Sequence, residues 1–209
     1  MNVLALDTSG PVAGVAIKKD NVMAYDCAAT NKMTHSVNLM PMIDEAFTHA
    51  GLTLDDMDRI AVVVGPGSFT GVRIGVSTAK GLSHGANIPC VAVNALEAMA
   101  CGIPYFDGIV CPMQDARAGQ VYGAAFRTGE TLERLMPDTP MKLEDYAAKI
   151  GEFGDRFCFI GDGAAVMREK LTALLGDKAF FPPCASSYLR AACVAELGSR
   201  ADAEELDYL

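Results

Sequence analysis

Two apolar runs in the chain end in an aspartate followed by a turn of small residues. Residues 3–6 lead into Asp7-Thr8-Ser9-Gly10, and residues 109–114 into Asp115-Ala116-Arg117-Ala118-Gly119. Aspartates so placed finish strands and cap turns, because a side-chain oxygen can take the N–H two residues on. Between them lies Gly65-Pro66-Gly67-Ser68-Phe69-Thr70-Gly71, leading into a helix start where unpaired N–H groups can hold an anion. No Walker A lysine follows, and the spacing is not that of a dinucleotide fingerprint. The loop reads as a tight strand-to-helix turn capped by Ser68 or Thr70, with a phosphate cradle as the alternative. A further glycine pair brackets Asp162 in Gly161-Asp162-Gly163. His35, His49 and His84 are the only histidines. Their spacing suggests no common site and no nucleophile stands beside them, so each reads as structural. Seven cysteines without C-x-x-C or other metal spacing read as reduced core thiols.

The elements that must position these groups emerge from periodicity. Residues 3–6, 12–17 and 22–28 form three short apolar runs separated by turn signals, a β-meander. Leu39, Met40, Ile43, Ala46, Phe47 and Ala50 recur at helical spacing and mark an amphipathic helix over 36–50. A buried strand at 60–64, a helix at 70–84, a strand at 88–93 and a helix at 94–101 follow. The order β-β-β-α-β-α-β-α predicts a mixed sheet covered by helices. A turn-rich stretch at 102–108 marks a lobe boundary, after which strand, Asp, small-residue turn and strand recur. A strand at 156–160 and helices at 164–175 and 186–200 complete the chain. Gly71, Gly75 and Ala79 share one face of the 70–84 helix. A glycine inside a helix costs about 1 kcal/mol relative to alanine, so another element must come close there. Either a partner or the 36–50 helix of the same chain fits.

The 209 residues, 51% hydrophobic, suffice for two small lobes with real cores. The formal net charge is −9 and Lys18-Lys19 is the only adjacent basic pair. Proteins that grip nucleic acid alone cluster basic groups on its phosphates, so any contact with RNA is expected to run through a partner. The N-terminus lacks a basic signal-peptide start and no apolar run is long enough for a bilayer. A cytoplasmic protein with no membrane contact is expected.

Five segments carry a family resemblance: Leu4-Ala5-Leu6-Asp7-Thr8-Ser9; Thr34-His35-Ser36 with Leu39 and Pro41; the eleven residues Gly65 to Gly75; Asn94-Ala95-Leu96-Glu97-Ala98-Met99-Ala100; and Asp115 to Tyr122. Together they resemble the TsaB family over residues 3 to about 126. The resemblance implies an α/β protein of the actin-like ATPase (ASKHA) fold. Its two ribonuclease-H-like lobes, each a mixed sheet flanked by helices, would face a cleft. The lobes are expected at 1–102 and 103–209, with the last helix a candidate to pack back on the first.

It implies, too, a non-catalytic scaffold and activator for threonylcarbamoyl transfer to the tRNA adenosine next to the anticodon. The partners implied are a catalytic TsaD-like transferase, a small TsaE-like ATPase, the chain itself as a homodimer in isolation, and tRNA only through the complex. The implied interface comprises Leu39, Met40, Ile43, Phe47, Gly71, Gly75, Ala79 and Leu82, with Met33 and Met42 as adaptable neighbours. In the transferase relative, a His-Met-Glu-Gly-His pattern holds iron or zinc. The matching positions here are Ala95-Leu96-Glu97-Ala98-Met99, so neither metal nor cofactor is expected. Asp7 and Asp115 would carry magnesium in an active member of the fold. A residual nucleotide site would comprise Asp7, Thr8, Ser9, Asp115, Gly161 and Gly163. Asp162 stands where related ATPases have a second glycine, and its carboxylate would repel a phosphate. Arg117 would project into the same space. The rival readings are an active ATP-dependent transferase or kinase of this fold, and a metallopeptidase, which the absence of a His pair speaks against.

Overall fold

The computed structural model describes residues 1–30 and 35–201; Met33 and Thr34 lie outside them. The opening apolar run becomes β1 (Asn2–Asp7), buried from Val3 onward because it is the middle strand of its sheet. β2 (Ala13–Lys19) and β3 (Val22–Ala29) run antiparallel on one side. α1 (His35–Ala50) then crosses to β4 (Arg59–Gly65), and α2 (Phe69–Ala86) crosses to β5 (Cys90–Asn94), both strands parallel to β1. The sheet order is β3-β2-β1-β4-β5. Both crossovers bury their apolar stripes on one face, where Leu39, Ile43, Val76 and Ala79 meet Leu4, Leu6, Ile17, Ile60 and Val62.

After α3 (Ala95–Cys101), a second sheet is built around β6 (Ile109–Arg117). β7 (Gln120–Thr128) and β8 (Leu132–Lys142) run antiparallel on one side. α4 (Leu143–Ile150) leads toward β9 (Phe157–Ile160), and α5 (Asp162–Leu175) toward β10 (Ala179–Phe180), both strands parallel on the other side. The order β10-β9-β6-β7-β8 repeats that of the first sheet, a meander on one flank and parallel strands on the other. This is the ribonuclease-H-like arrangement, present twice. Tyr146 anchors α4, its hydroxyl donating to the Ala124 carbonyl at 2.7 Å. Gly123 leaves space for the ring, since a Cβ there would lie 2.4 Å from it.

The last helix, α6 (Ala191–Arg200), returns to the first sheet and covers its other face. Small residues allow it. A Cβ on Gly14 would sit 3.1 Å from that of Ala191, and one on Gly198 only 2.3 Å from that of Ala61. Charge holds it in register. Lys18 Nζ, on a residue only 8% exposed, donates to Glu196 Oε2 at 2.6 Å and Ser199 Oγ at 2.9 Å. A buried ammonium without such partners would be costly. Arg190 pairs with Asp26 at the start of the helix, and Arg59 donates to the Gly198 and Ala201 carbonyls at its end.

The compact units are therefore Met1–Ala95 with the chain from Arg190 on, and Leu96–Leu189. The first boundary lies at 95, ahead of most of α3, and α6 is grouped with the first unit because it packs on that sheet. The helix sketched over 186–200 begins at Ala191, preceded by a short turn at Cys184–Ser186. Among the described residues no helix is long and apolar enough to cross a membrane.

Candidate functional site

Both aspartates, at the end of β1 and two residues before the end of β6, make the same turn. Asp7 Oδ1 accepts the Ser9 N–H at 2.8 Å, and Asp115 Oδ1 accepts the Arg117 N–H at 2.8 Å. Their surroundings differ. Asp7 is 2% exposed. Burial pushes its carboxyl up from 3.8 to about 6, against the opposing pull of the Ser9 N–H and the His35 charge. His35 is held by its Nε2, 2.8 Å from the Gly10 carbonyl oxygen. His49 stacks on Tyr25, and His84 lies in the last turn of α2.

Because the folded chain holds this proton more tightly than the unfolded one, the associated stability is complete below the unfolded value of 3.8. It is lost as pH rises through about 6. The difference amounts to about 3 kcal/mol. Asp7→Asn keeps the acceptor for Ser9. It is expected to stabilise the chain at neutral pH by about 1–3 kcal/mol and to remove the fall in stability across that window. Urea denaturation at a series of pH values checks this.

The glycine loop closes on the Asp7 turn. Thr8 Oγ1 donates to the Gly71 carbonyl at 2.7 Å, and the Ser68 N–H to the Ser9 carbonyl at 2.7 Å. Ser68 caps α2, its Oγ accepting the Gly71 N–H. A Cβ on Gly67 would lie 2.5 Å from the Ser9 carbonyl oxygen, one on Gly71 2.1 Å from that of Thr8, and one on Gly75 2.6 Å from Thr8 Oγ1. The glycine face of α2 thus meets the first turn of its own chain. Thr8, Ser9 and Val62 of the same unit fill the space beside Gly67, Gly71 and Gly75.

The other residues of the expected interface divide. Leu39, Ile43 and Ala79 are core residues, at most 2% exposed, and Met42 is buried beside them. Phe47 and Leu82 are half-buried against the same core. Met40 is the one expected contact that stands out, at 50% exposed. Two further apolar side chains join it in water, Val37 on α1 (51%) and Phe69 at the start of α2 (69%). Sequence reasoning passed over Val37 because it lies off the buried stripe of α1. It read Phe69 as part of a turn.

In the second unit, Gly161 (φ 98°) and Gly163 seat the start of α5 on β6. Cβ atoms there would lie 2.1 Å from the Met113 carbonyl oxygen and 2.7 Å from the Gln114 carbonyl carbon. Asp162 sits between them, and its Oδ1 accepts the Gly163 N–H at 3.0 Å. Burial raises its carboxyl, as does the neighbouring Asp115, while backbone hydrogen bonds oppose them. The positive end of α5 therefore already faces a carboxylate of its own chain. Arg117 is exposed in a left-handed conformation (φ 66°) at the end of β6.

The positions matching the metal pattern fall on α3. Ala95 is fully buried and Met99 is 6% exposed, its sulfur 3.1 Å from where a Gly161 Cβ would be. A methyl and a packed thioether do not fit iron or zinc, which need imidazole, thiolate or carboxylate donors. Among the described residues no three His, Cys, Asp or Glu side chains group as metal ligands would.

A family model described as "TsaD: tRNA N6-adenosine threonylcarbamoyltransferase" matches residues 29–207. The tRNA threonylcarbamoyladenosine biosynthesis protein TsaB of Bacillus subtilis (strain 168) is 33% identical, over 100% of this chain and 94% of that protein. A solved Pseudomonas aeruginosa structure, described as an uncharacterized protein with similarity to peptidase YEAZ, superposes with a TM-score of 0.81. It is 25% identical, over 100% of this chain and 96% of its own. The ROK hexokinase of Thermus thermophilus, 12% identical, shares the fold at a TM-score of 0.53, over 96% of this chain and 100% of its own. The fold is that of the actin-like ATPases.

Proposed function

The chain belongs to the TsaB family of tRNA threonylcarbamoyladenosine biosynthesis proteins, and on that basis we propose that it is a non-catalytic scaffold and activator for threonylcarbamoyl transfer to the tRNA adenosine next to the anticodon. It pairs with a TsaD-like transferase in the cytoplasm, recruits a TsaE-like ATPase to the pair, and meets tRNA only through that complex. In isolation a second copy covers the pairing face, since a self-complementary patch closes as a two-fold dimer.

The observation that carries this reading is the set of exposed apolar side chains on α1 and α2. Val37 and Met40, three residues apart on α1, and Phe69 on the neighbouring α2 are each at least half exposed, and apolar side chains left in water are where a partner gains most by covering them. The site chemistry supports it from the other side, because Ala95 and Met99 offer no metal donors and Asp162 occupies the anion-binding end of α5.

An ATP-dependent transferase or kinase using Asp7 and Asp115 with magnesium is the rival. Magnesium favours hydrated carboxylates, whereas Asp7 is 2% exposed and its Oδ1 already accepts the Ser9 N–H. Calorimetry of the isolated chain with Mg-ATP separates the two. No binding below the millimolar range is expected; micromolar affinity with turnover would favour the enzyme.

A further inference from the structure

A cavity of about 210 Å³ lies wholly within the second unit, lined by neither of the turn aspartates. The end of β9 and the first turn of α5 supply its floor, where Phe159, Ile160 and Ala164 are buried. Phe181 and Tyr188, from the chain that follows β10, supply a wall. That wall is fastened in place. The Gly161 N–H donates to the Ser187 carbonyl at 2.7 Å, and Ser187 Oγ lies 3.2 and 2.9 Å from the Pro182 and Pro183 carbonyl oxygens. A cavity formed before its ligand arrives spends little binding energy on ordering. Sites for drug-sized molecules run to about 300 Å³ or more, so this one suits something more compact.

Arg168 supplies the polar group. It stands one turn beyond Ala164 on α5, and its guanidinium lies 4.5 Å from the centre of the Phe181 ring. That ring packs in turn on Phe159, with centres 5.8 Å apart and planes tilted by 34°. Among the described residues the guanidinium has no carboxylate or hydrogen-bonding partner. A guanidinium seated on a ring keeps its fork of N–H donors available, and a carboxylate matches that fork with two parallel hydrogen bonds.

The charge balance narrows the ligand. Among the described residues that line the cavity, Arg168 alone is charged, so a single negative charge is matched. A doubly charged phosphate would be matched only in part, and Asp162, which opens the same helix, would repel it. The rest of the lining is aromatic and aliphatic, and aromatic side chains pack well against a flat ring. We infer that the cavity binds a small aromatic carboxylate, its charged end on the Arg168 fork and its ring against Phe159, Phe181 and Tyr188. No residue of α1 or α2 lines it, so the inference does not depend on the pairing proposed above.

The test follows backbone amide signals of the full chain by NMR during titration with benzoate. Saturable shifts at Gly161, Ala165 and Tyr188 are expected in the millimolar range. Benzamide, which has nearly the same shape without the charge, and phenyl phosphate are each expected to bind at least about tenfold more weakly. Arg168→Met keeps an apolar stem over Phe181 and removes the fork. It is expected to weaken benzoate binding about tenfold while leaving the melting temperature unchanged. Arg168→Lys should weaken it nearly as much, because a point charge cannot pair in bidentate fashion. The inference is overturned if benzoate gives no saturable shift, if Arg168→Met binds like the parent, or if benzamide binds as well as benzoate. Adenosine binding more tightly than benzoate would make this a nucleobase site, and the inference would fail. None of these outcomes bears on pairing with the transferase, which the Val37 and Met40 substitutions test separately.

Discussion

Adding one methyl group at Gly71 is expected to destabilise the chain by about 3 kcal/mol or more, at or beyond the upper end for overpacking. The new Cβ would lie 2.1 Å from the Thr8 carbonyl oxygen and 3.2 Å from its carbon. These are backbone atoms, so no rotamer change relieves the clash. Hydrogen bonds pin the segment on both sides, from Thr8 Oγ1 to the Gly71 carbonyl and from the Ser68 N–H to the Ser9 carbonyl. Gly75→Ala should cost less, about 1–2 kcal/mol, because its clash is with Thr8 Oγ1. That hydroxyl can rotate away at the loss of its buried hydrogen bond. Urea midpoints of the two variants and the parent provide the measurement. A Gly71→Ala chain as stable as its parent would mean that α2 does not close on the Asp7 turn.

The second large effect is on binding. Val37→Asp combined with Met40→Glu is expected to reduce affinity for the transferase at least 100-fold. Each side chain is about half exposed on α1, and truncating a contact residue at the centre of an interface costs about 2 kcal/mol or more. A carboxylate buried against an apolar partner adds its desolvation penalty. The folded chain alone should hardly notice, since exposed substitutions stay within about 0.5 kcal/mol. Titration calorimetry with the transferase, next to a thermal melt of the isolated chain, resolves the two quantities. Unchanged affinity would place the contact on another surface.

How much of this could be read beforehand follows from where each signal lies. The first hundred residues carry clean changes of period, and the Asp7 and Asp115 turns announce themselves by local chemistry. The strand β8 was hidden because Pro137 and Pro140 argue against a sheet interior; it is an edge strand paired only with β7, where proline is tolerated. The short α4 was passed over although Leu143, Tyr146 and Ile150 repeat at helical spacing. The return of α6 to the first sheet rests on pairs such as Lys18 with Glu196, 178 residues apart, for which no periodicity exists. The glycines of α2 were the most instructive. Their number signals close approach, but only coordinates separate Gly71 and Gly75, spent on Thr8, from Gly81 and Gly85, which face open space. Met40, which the apolar period places on the stripe of α1, is half exposed.

In the proposed function the chain contributes a surface and no reacting group. Threonylcarbamoyl transfer to tRNA, reconstituted from the purified transferase, ATPase and this chain, distinguishes the two contributions in one assay. With Asp7→Asn and Asp115→Asn combined, transfer is expected to proceed at the parental rate, while Val37→Asp with Met40→Glu should reduce it to the level seen without this subunit. Loss of transfer in the carboxylate variant, with the surface variant fully active, would contradict the account.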